Sequence, residues 1–337
     1  MKNSSEQATQ PKFTTPTWTL RVGNCQVTVS SRGGMPLSWI AADGMHAEHD
    51  QEIELLDGYR DQAELDEANG CRNALMAPWS NRIKDARYSF DGVEYDRGPA
   101  ADGSREANHG LAMEADFTLV ERHDSENESW LTIATTIGEV PGYPWRIGLS
   151  VTYTLTCFKS GSALTLEMEA TNESEVPAPV GLGWHPYLCL GDVDELKVSI
   201  PAKCRIIPDE TLIPLPGDAA FSESSPEDHE KLALKSQVLD QAWTELVASD
   251  DGVVRTVLTS PLGSTFTLEQ HTEVETPGVG IVHLFTGDTL KHRPRESVAV
   301  EPCLFMTDAF NRQECATQLP LAPGQKRCLD STLLYQI

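Results

Sequence analysis

The sequence is poor in positive charge. It has 26 Lys and Arg residues against 51 Asp and Glu residues, which gives a formal net charge of −25 at pH 7. Nucleic-acid binding requires clustered basic residues that neutralise phosphates, and an anionic membrane surface repels the same excess of carboxylates. We therefore expect neither a nucleic-acid partner nor a membrane partner, and the charge favours solubility.

Long apolar runs are also missing. No stretch reaches the roughly 18 apolar residues that a membrane-spanning helix needs, and residues 1–18 lack the apolar core of a secretory signal. The eight cysteines are widely scattered and form no CxxC pair, so we do not expect disulfides. The chain is interpreted as a reduced, cytoplasmic protein.

The apolar residues that are present mainly follow the two-residue period of β-strands. In residues 162–172 the sequence SALTLEMEATN alternates apolar and polar side chains, as in a strand buried on one face. Residues 130–138 and 146–158 are rich in β-branched and aromatic residues and also predict strands. Residues 255–271 predict a hairpin that turns at residues 261–263.

Helical patterns are few, and the candidates are residues 61–70 and part of residues 227–243. No period of 20–50 residues repeats, and no break in composition divides the chain. Residues 1–16 are polar with two prolines, so we expect a disordered lead-in. Many short strands joined by Gly, Pro and Asp turns predict one all-β domain over residues 17–337, an antiparallel sandwich or barrel.

Five short stretches combine polar residues with proline, glycine or aromatic neighbours. They are APWSNRI with Asn81 and Arg82, NHG with His109, GWHPYL with His185, LDQAW with Asp240, and EPCLFMTDAFN with Glu301. Taken singly, most have an ordinary explanation, such as a surface arginine, a turn cap, a core histidine or a helix N-cap. Glu301 is the exception, because it follows an apolar run, and a carboxylate buried there needs a partner or a purpose.

Together with DETLIPLP at Asp209–Pro216, these motifs resemble the aldose 1-epimerases, or mutarotases, in the family's order over roughly residues 20–335. The GxGxHPYL form is similar to that of a bacterial subgroup. The resemblance implies a large antiparallel β-sandwich, the galactose mutarotase-like supersandwich, with an open sugar cleft. The implied roles are Glu301 as general base, His185 as general acid, His109 as a hydrogen-bonding group near the ring oxygen, and Arg82, Asn81 and Asp240 as ligands of sugar hydroxyls.

The chemistry explains these residue types. Interconverting α and β anomers requires removal of the C1 hydroxyl proton and protonation of the ring oxygen, for which one base and one acid suffice. We expect a monosaccharide substrate, no cofactor, no metal, and a monomer or homodimer. His46 and His49 form an HxxH pair without a third ligand. We expect the acidic surface to help hold His185 and His109 protonated.

Three alternatives remain open on sequence alone. A glycoside hydrolase would pair Glu301 with Asp240 or Asp308. A non-catalytic sugar-binding protein would need no acid–base pair. A mutarotase for a phosphorylated or sulfonated hexose would need a cationic clamp, for which the candidates near the motifs are Arg72, Lys84, Arg87, Arg97 and Arg105. Leu188-Cys189-Leu190 departs from the galactose-type pattern and leaves the identity of the sugar open.

Overall fold

Antiparallel strands make up most of the regular structure in this computed structural model, which describes residues 12–42, 52–100, 103–225, 230–272 and 276–337. In chain order the strands are β1 (Thr17–Val22), β2 (Cys25–Ser30), β3 (Pro36–Ala42), β4 (Glu52–Glu54), β5 (Leu75–Met76), β6 (Arg82–Ile83), β7 (Arg87–Phe90), β8 (Val93–Asp96), β9 (Ala107–Asn108), β10 (Thr118–Asp124), β11 (Glu128–Val140), β12 (Tyr143–Phe158), β13 (Gly161–Asn172), β14 (Ala178–Pro179), β15 (Gly183–Trp184), β16 (Tyr187–Leu188), β17 (Lys197–Ser199), β18 (Ala202–Ile206), β19 (Phe221–Glu223), β20 (Leu232–Ala233), β21 (Asp240–Leu246), β22 (Val254–Thr259), β23 (Thr265–His271), β24 (Val279–Phe285), β25 (Val298–Phe305), β26 (Pro320–Leu321) and β27 (Lys326–Gln336). An α-helix, α1 (Gln62–Glu67), precedes the first of several 3₁₀ segments, which lie at Asn69–Cys71, Lys84–Ala86, Ala112–Glu114, Val193–Glu195, Gly217–Ala220 and Ala309–Asn311.

Two large antiparallel sheets form the body of the fold. One has nine strands in the order β10-β11-β12-β13-β27-β23-β22-β17-β20. The other has eight strands, of which seven follow the order β19-β18-β21-β24-β25-β15-β5 while β16 pairs with β25. Gln270 of β23 links the two sheets by donating a hydrogen bond to the Ile281 carbonyl of β24. One cluster of buried apolar side chains has members on both sheets, so the predicted all-β antiparallel sandwich is confirmed.

The strand patterns of the sequence correspond to long strands of the nine-stranded sheet. β13 buries Leu164, Leu166, Met168 and Ala170 completely, as the alternation predicts. β11 and β12 include the predicted strands at 130–138 and 146–158, and they extend beyond them. β22 and β23 form the predicted hairpin, and at its turn the Ser260 amide donates a hydrogen bond to the Ser264 carbonyl.

Of the two helix predictions, one is confirmed, and the other begins on residues 227–229, which lie outside the described residues. α1 lies within residues 61–70, and Asp61 caps it by accepting a hydrogen bond from the Glu64 amide. Between residues 231 and 243 the structure instead has β20 and the start of β21. Leu232 and Leu234 are buried while Ala233 between them is exposed, so a two-residue burial pattern and pairing with β17 outweigh the helix-forming residues.

The expectation of a fully reduced chain is also wrong. Cys25 of β2 and Cys157 of β12 form a disulfide between residues 132 positions apart in the chain. Spacing in the sequence could not predict this pair, because only the fold brings β2 next to β12. The other six cysteines are free.

The predicted lead-in of residues 1–16 and the HxxH pair fall largely outside the described residues. His46 and His49 both lie outside them. Residues 12–16 are described, and the amides of Thr14 and Thr15 donate hydrogen bonds to the Gln62 side chain at the start of α1. Within the described ranges, no helix has the length and apolar character needed to cross a membrane.

Candidate active site

A buried carboxylate and a buried imidazole are in contact on the eight-stranded sheet. Glu301 lies in the middle of β25 and is 1% exposed, and its Oε1 lies 3.3 Å from Nε2 of His185. Glu301 Oε2 is buried too, and it has no hydrogen-bond partner among the described residues. A buried oxygen without a partner carries an energetic penalty, so Glu301 retains an acceptor for a bound molecule.

The backbone around His185 fixes the position of its ring. His185 donates its amide hydrogen to the Ala74 carbonyl, and its own carbonyl accepts from the Asn73 amide, both at 3.0 Å. Pro186, which has no N–H to donate, accepts a hydrogen bond from the Val300 amide of β25. The Tyr187 ring stacks on the imidazole at 4.9 Å with an interplanar angle of 12°. His185 is therefore held on both its backbone and its ring face.

Gly183 allows the loop carrying His185 to approach its neighbours closely. A Cβ at this position would lie 2.7 Å from the Met76 methyl and 3.0 Å from the Cys303 sulfur. Such distances are shorter than van der Waals contact, so a larger residue would require the Met76 and Cys303 side chains to move. The glycine in GWHPYL thus brings the histidine within reach of β25.

His109 and Asn81 meet where β6 pairs with β9. Both residues have left-handed backbone conformations, with φ of 55°, and the Asn81 amide donates to His109 Nδ1 at 3.3 Å. Because Nδ1 is an acceptor, the proton of a neutral ring resides on Nε2. The His109 ring contacts His185 edge-on, with centroids 5.1 Å apart.

Three ionisable side chains form a row on adjacent strands of the same sheet. His283 of β24 is the direct cross-strand partner of Glu301. Asp240, the first residue of β21, lies diagonally from His283, and its Oδ1 is 2.7 Å from His283 Nε2. Side chains at such positions share one face of a sheet, so the row runs Asp240, His283, Glu301.

These residues line one cavity of about 230 Å³. All six residues singled out in the sequence contribute to it, namely Asn81, Arg82, His109, His185, Asp240 and Glu301. Arg82 is half-buried, and its guanidinium donates to Asn81 Oδ1 at 3.2 Å. The cavity therefore combines a fixed cation, two carboxyl groups and three imidazoles.

Burial determines the protonation of the contacting pair. It raises the pKa of Glu301 to about 8, and it lowers the pKa of His185 well below the usual value, with His109 and His283 adding to that decrease. The pKa of His109 falls to about 3 for the same reason, with a further contribution from Arg82. The expectation that His185 and His109 are held protonated is wrong, because the surface carboxylates are screened by water while the rings are desolvated.

The pKa values of Asp240 and His283 are shifted in the opposite directions from those of Glu301 and His185. Burial acts to lower the pKa of His283, but the nearby Glu301 and Asp240 outweigh it and raise that pKa. Burial likewise acts to raise the pKa of Asp240, but the His283 hydrogen bond and charge, together with Arg82, lower it. Both pKa shifts favour the imidazolium form of His283 and the carboxylate form of Asp240.

A sequence model described as aldose 1-epimerase matches residues 16–331 of this chain. The chain belongs to the aldose 1-epimerase family. Membership supports a sugar epimerase or mutarotase role. The uncharacterized protein YihR of Escherichia coli (strain K12) is 32% identical over 130 residues, a match that spans 38% of this chain and 40% of YihR.

Solved structures show the same fold. A putative aldose 1-epimerase from Escherichia coli K12 has a TM-score of 0.70 at 19% identity, covering 95% of this chain and 99% of its own. A galactose mutarotase-like protein from Clostridium acetobutylicum has a TM-score of 0.76 at 12% identity, covering 95% of both chains. The galactose mutarotase-like fold implied by the sequence motifs is thereby confirmed.

Several other candidates of the sequence do not line this cavity. Asp308 accepts hydrogen bonds from the Lys84 amide and the Asn311 side chain, so it organises a turn. Arg72 is 1% exposed and forms an ion pair with Asp57. Arg87 and Arg105 pair with Asp96 at the surface, and Arg97 lies over Trp79.

Of the aromatic residues near the motifs, Tyr187 lines the cavity, whereas Trp79, Trp184 and Trp243 belong to the apolar core. Sequence reasoning missed His283 altogether. It lies in the otherwise apolar strand VGIVHLF, and a lone histidine in a buried strand is the signal that could have drawn attention to it. Among the described residues, no group of three or more potential ligands is arranged to hold a metal ion.

Proposed function

We propose that the protein interconverts the α and β anomers of a free hexose by acid–base opening and closing of the sugar ring. The observation that carries the proposal is the contact between Glu301 and His185 inside the cavity. Glu301 accepts the C1 hydroxyl proton while His185 protonates the ring oxygen. C1–C2 rotation in the open-chain aldehyde and reversal of both transfers yield the other anomer.

The proton count of the pair fits this reaction. Burial favours a neutral Glu301 carboxyl beside a neutral His185. Moving one proton across the 3.3 Å contact gives the charged pair that starts ring opening. Ring opening then returns both groups to their neutral forms. The buried environment therefore favours neutral Glu301 and neutral His185, which is the state of the pair when the sugar is in its open-chain form.

The remaining cavity residues bind the sugar in this proposal. His109 donates a hydrogen bond through Nε2–H rather than acting as a proton source, because burial keeps its ring neutral. Arg82 donates to sugar hydroxyls, Asp240 accepts from them, and Asn81 holds the Arg82 side chain. The acid–base pair suffices for the chemistry, so chelator-treated protein should retain its rate without added metal or nucleotide.

A neutral hexose fits the charges of the cavity better than an anionic one. Among the described residues, Arg82 is the only lysine or arginine that lines the cavity, and Asp240 and Glu301 lie in the same space. Polarimetry on freshly dissolved α anomers of neutral, phosphorylated and sulfonated hexoses tests this choice. Faster turnover of a charged hexose would show that the preferred substrate is anionic rather than neutral.

A glycoside hydrolase is the competing enzyme class. Asp240 and Glu301 are two carboxyl groups in one cavity with pKa values shifted in opposite directions, which is the arrangement that such an enzyme uses. The His185 contact with Glu301 and the His283 contact with Asp240 favour the epimerase. Release of reducing sugar from a panel of glycosides, with no mutarotation of free sugars, would establish the hydrolase instead.

The proposal includes a monomer or homodimer in the cytoplasm. The Cys25–Cys157 disulfide bears directly on the location, because cytoplasmic thiols are usually kept reduced. Trapping of thiols in intact cells, followed by mapping of Cys25 and Cys157, measures the redox state there. Light scattering gives the oligomeric state.

A further inference from the structure

His283 is placed to act on both carboxyl groups of the cavity. It lies opposite Glu301 in the β24–β25 register and diagonally from Asp240 on β21. Its side chain is 10% exposed, and its Nε2 is 2.7 Å from Asp240 Oδ1. None of the sequence motifs includes this residue.

We propose that His283 is a positioning residue that acts as an imidazolium, orienting the Asp240 carboxylate toward the sugar and placing a positive charge beside Glu301. The inference rests on the proposed interconversion of anomers at this cavity. It concerns the charge of His283 before the reaction begins. His283 takes no part in the proton transfers of Glu301 and His185.

The contact with Asp240 involves one carboxylate oxygen. Oδ1 faces His283 Nε2, and the Asp240 side chain is 29% exposed from the cavity side of β21. The second oxygen is thus left for a sugar hydroxyl, in an orientation set by the imidazole. A charge-assisted hydrogen bond of this length restricts the carboxylate more than a neutral one does.

Charges alternate along the row of three strands. Asp240 is negative, His283 positive, and Glu301 must become negative to accept a proton. The groups that face His283 are Asp240, Glu301, Arg82, His185 and His109. Without the imidazolium, the negative charge of Asp240 would act on Glu301 uncompensated, and it raises the pKa of Glu301. Glu301 would then be held more firmly in its protonated form.

Three further titratable groups face Glu301: Cys71 in a 3₁₀ segment, Tyr187 on β16 and Cys303 on the same strand, β25. Burial raises the pKa of all three, so they stay neutral over the working range of pH. His283 and Arg82 are therefore the cationic groups whose loss would change the proton affinity of Glu301.

Two variants separate the two effects of His283. His283→Gln removes the charge but keeps an N–H donor for Asp240, whereas His283→Ala removes both. We expect the alkaline limb of the kcat/KM profile to move up by about one pH unit in both variants, because an opposite charge at this range shifts a carboxyl by that order. We expect kcat to fall roughly 10-fold in both, and KM to rise clearly only in His283→Ala.

His271→Gln, at the exposed end of β23, is the matched control and should leave the pH profile and KM unchanged.

A nitrogen-15 spectrum of the histidine side chains of the empty protein tests the charge without any sugar. At pH 6.5 we expect His283 to appear as an imidazolium, with His109 and His185 as neutral rings, and we expect Asp240→Asn to make His283 neutral. The His283→Gln spectrum assigns the signal.

A neutral His283 in the wild type, or an unmoved alkaline limb of the kcat/KM profile in a folded His283→Gln variant, would overturn the inference. An imidazolium in a protein without mutarotase activity would instead refute the proposed function and leave this charge assignment intact.

Discussion

Glu301 Oε1 lies 3.3 Å from His185 Nε2, and both side chains are almost completely shielded from solvent. The pair shares one proton in the range where burial keeps the carboxyl protonated and the imidazole neutral. Coupled groups of this kind titrate as a unit. The catalytic form is the singly protonated pair, whichever atom carries the proton at a given instant.

The pH profile follows from that form. The pair loses its single proton near the pKa of Glu301, about 8, so kcat/KM should fall at higher pH. It gains a second proton only at the lowered pKa of His185, so kcat/KM should stay nearly flat below neutrality until the pH lies well under the usual histidine range. Polarimetry across a pH series measures both limbs. A decline already centred at pH 6–7 would show that an ordinary histidine controls the acid limb.

Substitution of the two cavity histidines should have different consequences. His185→Asn removes proton transfer to the ring oxygen and should reduce kcat by about 10²–10⁴-fold. His109→Asn removes a neutral donor and should raise KM more than it lowers kcat. Progress curves at several sugar concentrations separate the two constants, and circular dichroism verifies folding. Unchanged kinetics in both variants would show that His185 and His109 serve only in packing.

Arg82 should contribute to binding rather than to the chemical step. A hydroxyl contact exists in both the ground state and the transition state, so Arg82→Ala should raise KM with little change in kcat. The loss of a hydrogen bond from a charged group costs roughly 1.5–3 kcal/mol. If KM does not change, Arg82 does not contact the sugar. Arg105→Ala, which removes a surface partner of Asp96, provides an arginine control.

The Cys25–Cys157 disulfide gives a prediction independent of the sugar. In denaturant without reductant, six cysteines should react with an alkylating reagent, the six free thiols of the structure, and all eight should react after reduction. Cys25→Ser should lower the free energy of unfolding by about 2–5 kcal/mol. Reaction of all eight before reduction would show that the purified protein is reduced.

The sequence predicted the strands and the grouping of the candidate residues in one cavity more reliably than it predicted charge states or distant contacts. The alternation in β13 is local and agrees with the structure, and the equally local motif around His185 places this residue in the cavity lining. Within the helix candidate of residues 227–243, Leu232 and Ala233 form a strand because they pair with β17. The link between Cys25 and Cys157 depends on two strands far apart in the chain.

Protonation could not be derived from composition. The net charge of −25 describes the whole surface, whereas the pKa of His185 depends on its burial and on two neighbouring imidazoles. His283 was missed for a related reason, since its importance comes from Asp240 and Glu301 on adjacent strands rather than from its sequence neighbours.

The most direct test of the account compares wild type with Glu301→Gln in sugar binding and in exchange NMR between anomers. Gln keeps the size of the side chain but cannot accept the C1 hydroxyl proton. We predict nearly normal affinity and a rate of interconversion reduced by about 10²–10⁴-fold, with His271→Gln at the wild-type rate. A Glu301→Gln protein that interconverts anomers at the wild-type rate would contradict the account and would leave Asp240 as the carboxylate base of the cavity.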